Sequence, residues 1–360
     1  MSGTSLDATD AALILTDGVQ VLEFGAVAER KYSTVERQIL QDATDAARAW
    51  NWTGPAPDDV FEAARRVVTH THAEAWEMLQ EGGGKGVVAT LAGVHGQTVL
   101  HRRSKPGHPG ATLQLIDPLG LQTALGVPLA YDFRTADVAA GGQGAPLAPV
   151  YHGALLERAG DGASAVLNLG GVANITARMA DGTLFAFDTG PANGPIDEWV
   201  EGYGKGTHDV GGAFAAAGRV HEGLLVQLLD HDWFAELPPK SLDRYDFNAS
   251  MARGLSFEDG AATLTAFSAR AVAAGVAQLP DTPERVIVCG GGRHNPSMMA
   301  ALRGALPCAV LSAEDAGWRG DSIEAEAFAF LAARTVRGLP LSWPTTTGVP
   351  AAITGGRLAG

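Results

Sequence analysis

The stretch Ala163-Ser164-Ala165-Val166-Leu167-Asn168-Leu169-Gly170-Gly171-Val172-Ala173-Asn174-Ile175-Thr176-Ala177-Arg178 decides the reading of the fold. The apolar run 163–169 predicts a buried strand, Gly170-Gly171 a turn, and 172–178 the returning strand. Asp181-Gly182 and 184–187 add another turn and a third strand. The same layout opens the chain, where 11–15 predicts a buried strand, Asp17-Gly18 a hairpin turn and 19–27 its return. In the first half, helical patterns follow at 35–50 and 58–80, the second with Asp58 as N-cap and Gly82-Gly83-Gly84 at its end. Further strands are expected at 86–91 and 127–131. In the second half, helices are expected at 196–202, 221–230, 261–278, 295–302 and 321–337, with strands at 285–289 and 309–311. Two hairpin-led halves predict an α/β fold of two domains, 1–155 and 156–360, with a cleft between them as the place for a site. The tail 339–360, rich in Pro, Thr and Gly, predicts an ordered coil running back over the surface.

Composition narrows the function classes. The chain has 360 residues with 26 basic against 40 acidic, a formal charge of −14. That balance argues against a nucleic-acid surface, which needs clustered Lys and Arg. The densest basic spot, Arg102, Arg103 and Lys105, reads as a solvated loop. Cys289 and Cys308 lie in apolar runs and read as small buried hydrophobes, pointing to a reduced cytoplasm. There is no basic-then-apolar leader at the start and no apolar run of the ~18 residues a membrane helix needs. A soluble protein with no membrane partner is expected.

Three glycine-dense strings beside apolar runs carry the chemistry. Glycine lets backbone N–H groups approach an anion closely, and three such turns suit an ATP site assembled from two halves. In the first, Gly3, Thr4 and Ser5 offer amides and hydroxyls to phosphate, while Asp7 and Asp10 follow; Asp10 is the better placed for Mg²⁺, which prefers hard oxygen ligands. In the second, Gly170, Gly171 and Asn174 suit the β- and γ-phosphates, although a simple hairpin turn has the same pattern. In the third, Gly290, Gly291 and Gly292 end a strand, Asn295 is a good N-cap and Pro296 a first-turn residue, so a nucleotide there would meet a helix start. Between them lie His95, Gln97, Thr98 and Gln114, neutral donors and acceptors that match sugar hydroxyls and amides. The string 132–147 holds Asp132, Arg134, Asp137 and Gln143, and Asp188 ends a strand where a ligand-facing carboxylate would sit. Spacing alone does not choose between Asp132 and Asp137 as a base.

Taken together, the strings resemble the anhydro-N-acetylmuramic acid kinase family of the actin, hexokinase and Hsp70-type ATPase superfamily. The resemblance runs through Met-Ser-Gly-Thr-Ser-Leu-Asp at 1–7, His-Gly-Gln-Thr at 95–98, Thr-Leu-Gln at 112–114, Asp-Phe-Arg at 132–134 and Gly-Gly-Gln-Gly-Ala-Pro-Leu at 141–147. It continues through Asn-Leu-Gly-Gly-Val-Ala-Asn at 168–174, Asp-Thr-Gly-Pro at 188–191, Pro-Lys-Ser at 239–241, the glycines at 290–292 and Ile-Glu-Ala at 323–325. The resemblance implies a two-domain actin-like, ribonuclease H-like fold and an ATP- and Mg²⁺-dependent kinase of peptidoglycan recycling. Such an enzyme opens the 1,6-anhydro ring of its amino sugar with water and phosphorylates O6. The resemblance also implies Asp137 as the base that activates water, with Asp132 and Arg134 supporting it, Glu324 among the sugar-binding residues, and a homodimer. The family has a short strand before the Met-Ser-Gly-Thr-Ser string, so a native start some residues upstream is expected. The family's Asp-Gly-x-Asp reads here Asp7-Ala8-Thr9-Asp10, a replacement expected to strain the turn if position 8 needs a positive φ.

Overall fold

The computed structural model describes residues 1–3, 5–82, 88–104, 109–160, 162–242 and 246–360. The chain forms two compact units, Met1–Arg158 with Ser322–Gly360, and Ala159–Asp321. This corrects the expected second range: residues 322–360 pack with the first unit, and the unit boundary falls at the end of the helix Pro149–Ala159.

The first unit opens on the antiparallel hairpin Ala8–Thr16 and Val21–Lys31, whose register pairs Ala8 with Lys31 and Thr16 with Val21. Helix Thr34–Trp50 starts on a capping box in which Ser33 accepts from the Glu36 amide and Glu36 reaches back to Ser33, satisfying two orphan donors. Helix Asp58–Gly82 packs against it and against both strands. Asp58 is the first residue of this helix, in place of the N-cap expected of it; the expected closing glycines 83 and 84 lie outside the described residues. The core between these elements is built from Leu40, Ala43, Phe61, Ala64, Val68, Leu115, Leu121 and Leu129.

Two expectations for this unit need correction. Of the expected strand 86–91, residues 86–87 lie outside the described residues, 88–91 are not extended into a ladder, and the strand is Ala92–Gly93, parallel to Leu129–Tyr131. The physical reason is close approach: a Cβ on Gly93 would lie 2.1 Å from the Phe328 carbonyl oxygen, so only glycine lets helix Ile323–Val336 settle there. The strand 11–15 is not buried as expected, and Leu15 is 54% exposed. It lines a cavity of about 260 Å³ together with Val88–Val94, Ala75, Trp76 and Leu79, and Ala325, Ala329 and Ala333. Position 8 carries no left-handed backbone; Leu6, with φ of 56°, takes that conformation, and Ala8 sits in the strand.

The tail is also not a surface coil. Leu341, Ser342, Thr346, Thr347 and Val349 are buried, Pro340–Ser342 pairs with Ile353–Thr354, and Arg357–Leu358 adds an antiparallel edge to Leu129–Tyr131. Its polar composition concealed that its hydroxyls have a buried acceptor.

The second unit is a five-stranded sheet in the order Ala309–Ser312, Arg285–Cys289, Ser164–Leu169, Val172–Arg178 and Leu184–Pro191. The first three strands run parallel and the last three are joined as an antiparallel meander. The two inner parallel strands, Ser164–Leu169 and Arg285–Cys289, are buried on both faces and read accordingly as near-continuous apolar runs. Helices Asn193–Gly202, Phe257–Val276 and Pro296–Ala305 cover the sheet over a core that includes Leu167, Ile175, Phe187, Trp199, Leu264, Val286 and Met298. Asn295 caps the last of these, its side chain accepting from the Met298 amide at 3.0 Å. Among the described residues no helix is long and apolar enough to cross a membrane.

Burial lowers the pKa of His72 to about 3 and of His152 to about 4, both in the first unit, against 6.5 in the unfolded chain. Between those values the unfolded state binds more protons, so this stability is complete above pH 6.5 and is lost as pH falls towards 4. At pH 5 the loss is on the order of 2 kcal/mol per imidazole. Urea unfolding from pH 7.5 to 5 should show this decline, and His72→Leu should reduce the pH slope by about one proton.

Candidate active site

Within the first unit the strings expected to hold a sugar converge. Strands Gln97–Arg102 and Ala111–Leu115 pair antiparallel, setting Thr98 opposite Gln114. Gln114 donates to Thr98 Oγ1 at 3.2 Å and to Thr112 Oγ1 at 2.7 Å. His95 is buried, and its Nε2 accepts from Arg134 Nε at 2.9 Å, which places the ring proton on Nδ1. Burial, and next the Arg134 charge, hold the His95 imidazole well below its ordinary pKa, so it is neutral. Arg134 also donates from Nη1 to the Gly144 carbonyl at 2.7 Å, and burial lowers its own pKa to about 10. Gln143 is held through its backbone, donating to Thr347 O at 2.8 Å and facing His101 Nε2 with its carbonyl at 2.9 Å.

The first glycine turn meets this group through Ser2, whose hydroxyl bonds the Gln97 side-chain oxygen and lies 2.7 Å from Tyr32 Oη. The sequence reading quotes Ser2 only as part of the opening string and does not single out Tyr32; the structure joins them through the hydroxyl contacts of Tyr32 with Ser2 and Thr9. Gly3 and Ser5 lie in the turn, closed by the Leu6 amide on the Gly3 carbonyl at 3.3 Å, and Thr4 lies outside the described residues. Asp7 is exposed and ion-paired with Arg37, whose Nε also holds Leu6 O at 2.8 Å, so Asp7 braces the turn. Asp10 exchanges backbone bonds with Met1, accepting from its amine at 2.7 Å and donating to its carbonyl at 2.9 Å. Glu324 is exposed in the first turn of helix Ile323–Val336.

Asp132 and Asp137 have different surroundings. Asp132 takes the left-handed region at φ 52°, accepts from the Thr135 amide at 3.3 Å and so starts the short helix Thr135–Ala139. Asp137 is 2% exposed. Its Oδ1 accepts from the Gly144 amide at 2.6 Å, and its Oδ2 accepts from the hydroxyls of Ser342 at 2.5 Å and Thr347 at 2.6 Å. Ser342 and Thr347, two hundred residues downstream in sequence, gave no signal there because nothing local marks a hydroxyl as buried.

The second unit brings the other two glycine strings together. The carbonyls of Gly170 and Gly171 accept from the Asn193 and Ala192 amides at 2.9 and 3.0 Å, and Asn193 Nδ2 donates to Leu169 O at 3.0 Å. Gly290 has φ of 75°, and a Cβ there would lie 2.4 Å from Asn168 Oδ1, so the third turn rests directly on the strand that leads to the second. A Cβ on exposed Gly291 would meet nothing within 4 Å. Gly211 and Gly212, both left-handed, pack onto the helix start through Ser297 Oγ and the Gly212 carbonyl at 2.7 Å; the sequence reading passed over this pair. Asn174 pairs with Asp188 in the ladder. Asp188 is partly buried, its amide donating to Lys240 O at 2.9 Å and its Oδ2 accepting from the Leu242 amide at 2.7 Å. Among the described residues no three His, Cys, Asp or Glu side chains form a metal-binding group.

The class of protein follows from comparison with known proteins: the chain is a kinase. The family model for anhydro-N-acetylmuramic acid kinase matches residues 1–359. The chain is 54% identical over 362 residues to the anhydro-N-acetylmuramic acid kinase of Caulobacter vibrioides, covering 100% of this chain and 97% of that one. It is 51% identical over 362 residues to that of Rhizobium rhizogenes, with the same coverage of 100% and 97%. The chain belongs to the anhydro-N-acetylmuramic acid kinase family. Solved structures resemble it more distantly: the activator of the 2-hydroxyisocaproyl-CoA dehydratase from Clostridium difficile with bound ADPNP has 10% identity and a TM-score of 0.40, covering 92% of this chain and 96% of that one. A ROK family glucokinase from Streptomyces griseus in complex with glucose and AMPPNP has 12% identity and a TM-score of 0.36, covering 90% and 99%.

Removing the Asp137 charge while leaving Gly144, Ser342 and Thr347 in place leaves buried donors poorly matched. Asp137→Asn should cost on the order of 2 to 4 kcal/mol in urea unfolding, and Ser342→Ala about 1 kcal/mol.

Proposed function

We propose that this chain phosphorylates 1,6-anhydro-N-acetylmuramic acid from ATP, with water opening the anhydro bridge, to give N-acetylmuramate 6-phosphate and ADP. The observation that carries the reading is the convergence of Gln97, Thr98, Gln114, neutral His95 and Arg134 in one unit of a chain belonging to this family. Neutral donors and acceptors match hydroxyls and an acetamido group, and Arg134 adds a cation, held by His95 and the Gly144 carbonyl, that suits a carboxylate such as a lactyl group. The actin-like ATPase architecture, a homodimer and a cytoplasmic setting belong to the same proposal and rest on the family resemblance.

In the nucleotide half, Gly170, Gly171 and Asn174 would face the β- and γ-phosphates, and Gly290–Gly292 with Asn295 the nucleoside side. The open space above Gly291 fits a ligand lying over that turn. Asp10 would be the carboxylate that helps hold a Mg²⁺ ion, and the ion, when bound, would offset the charge that develops on the transferring phosphoryl group.

Opening the anhydro ring needs a carboxylate to take a proton from water attacking the anomeric carbon. The departing O6 needs no acid, since the γ-phosphoryl group captures it, and one carboxylate replaces the usual glycosidase pair. Family position makes Asp137 that base. Its geometry favours another duty: three protein donors meet a carboxylate that is 2% exposed, which anchors the 142–144 turn and the tail. Asp188 is the second reading, favoured by its partial exposure and its ladder pairing with Asn174 of the second glycine turn.

Incubation with Mg-ATP and the anhydro sugar, with N-acetylmuramate as control, should release ADP and sugar phosphate one to one from the anhydro sugar alone; ADP release without sugar dependence would overturn the reading. General-base catalysis is worth about 10²- to 10⁴-fold, so Asp188→Asn should lose that much kcat with an unchanged Tm. Asp137→Asn should lose stability and keep turnover in its folded fraction. The opposite pattern returns the base role to Asp137.

A further inference from the structure

The third glycine turn is followed by Arg293, a residue with no part in the reading above. Its side chain is 1% exposed. Nη1 donates to the Gly290 carbonyl at 3.0 Å; Nε meets both Glu314 oxygens at 3.0 and 3.2 Å; Nη2 reaches Glu314 at 3.0 Å and Asp321 at 2.8 Å. Gly320 lies against the guanidinium, where a Cβ would come within 2.4 Å of Nε. Both carboxylates are largely in solvent, 52% and 80% exposed. An arginine buried between two wet carboxylates is a poor way to gain stability, since apolar packing of the same volume does as well without desolvating a charge. What the guanidinium supplies, and an apolar side chain does not, is a planar fork of donors that fixes the direction of a backbone carbonyl.

We propose that Arg293 is a positioning residue for nucleotide binding: it locks the Gly290 carbonyl, and with it the conformation of Gly290–Gly292, to the loop that carries Glu314 and Asp321. Gly290 is the turn's left-handed residue, and Asn168 blocks one face of it. The Arg293 bond orients its carbonyl, so the turn is held in shape before any ligand arrives. The inference rests on the reading that this turn binds nucleotide.

Arg293→Lys keeps the charge and loses the fork. KM for ATP and the Kd for ADP, measured by calorimetry without sugar, should rise about tenfold, the loss of one fixed hydrogen bond. The KM for the anhydro sugar and kcat should stay within about twofold. Glu314→Gln, which weakens the lock from its exposed end, should shift ADP binding in the same direction by less. A lowered Tm with unchanged ADP affinity in both variants would make Arg293 purely structural and overturn the proposal. Gly291→Leu separates the two readings: with open space around it, the variant should fold normally and lose ADP binding. Retained ADP binding in Gly291→Leu would remove the nucleotide from this turn; lost binding there with unaltered affinity in Arg293→Lys would sink the Arg293 proposal alone.

Discussion

The buried carboxylate of Asp137 is the point on which the first unit turns. It gathers the Gly144 amide from the loop that follows it and the Ser342 and Thr347 hydroxyls from the end of the chain. Two of these partners then position something else: the Gly144 carbonyl accepts from Arg134, which in turn fixes His95, and the Thr347 carbonyl accepts from the Gln143 amide. An unpaired buried charge is expensive, so both segments are drawn to it, and the polar face is shaped by the geometry they must adopt.

The second unit depends on contact distance. Gly290 lies against Asn168 and Gly194 against Gly171, so two turns far apart in sequence share one wall. Glycine here serves backbone proximity, and amide N–H groups left accessible at such turns are the donors a phosphate chain can use. Asp188 belongs to the same wall through its pairing with Asn174, and Lys240 secures the loop beside it, its ammonium bonded to the Trp233 and Phe234 carbonyls at 3.2 Å and lying 4.3 Å from the Trp233 ring centre. An ammonium so placed stiffens the Pro-Lys-Ser string that carries the Lys240 carbonyl to Asp188.

Much of the fold was legible. The strands Val172–Arg178 and Arg285–Cys289 lie where the apolar runs placed them, and the start of Pro296–Ala305 follows from Asn295 and Pro296, because periodicity, caps and glycine turns are local properties. The candidate site was legible as residue types: neutral amides and hydroxyls in two strings proved to be facing strands. Illegible were the partners. Asp7 reads as a residue of the phosphate turn until Arg37 is seen beside it, and Asp137 reads as an open carboxylate until the tail supplies its donors.

By itself the sequence determined the five sheet strands of the second unit, the glycine turns and their helix start, and the family to which the chain belongs. Only the tertiary structure decided that residues 322–360 return to the first unit, that the strand 11–15 lines a cavity, and that Asp137 is buried among three donors. The reason is range. Strand, turn and cap preferences act over a few residues, whereas burial of a hydroxyl or a carboxylate depends on atoms that may lie two hundred positions away and enter the local pattern nowhere.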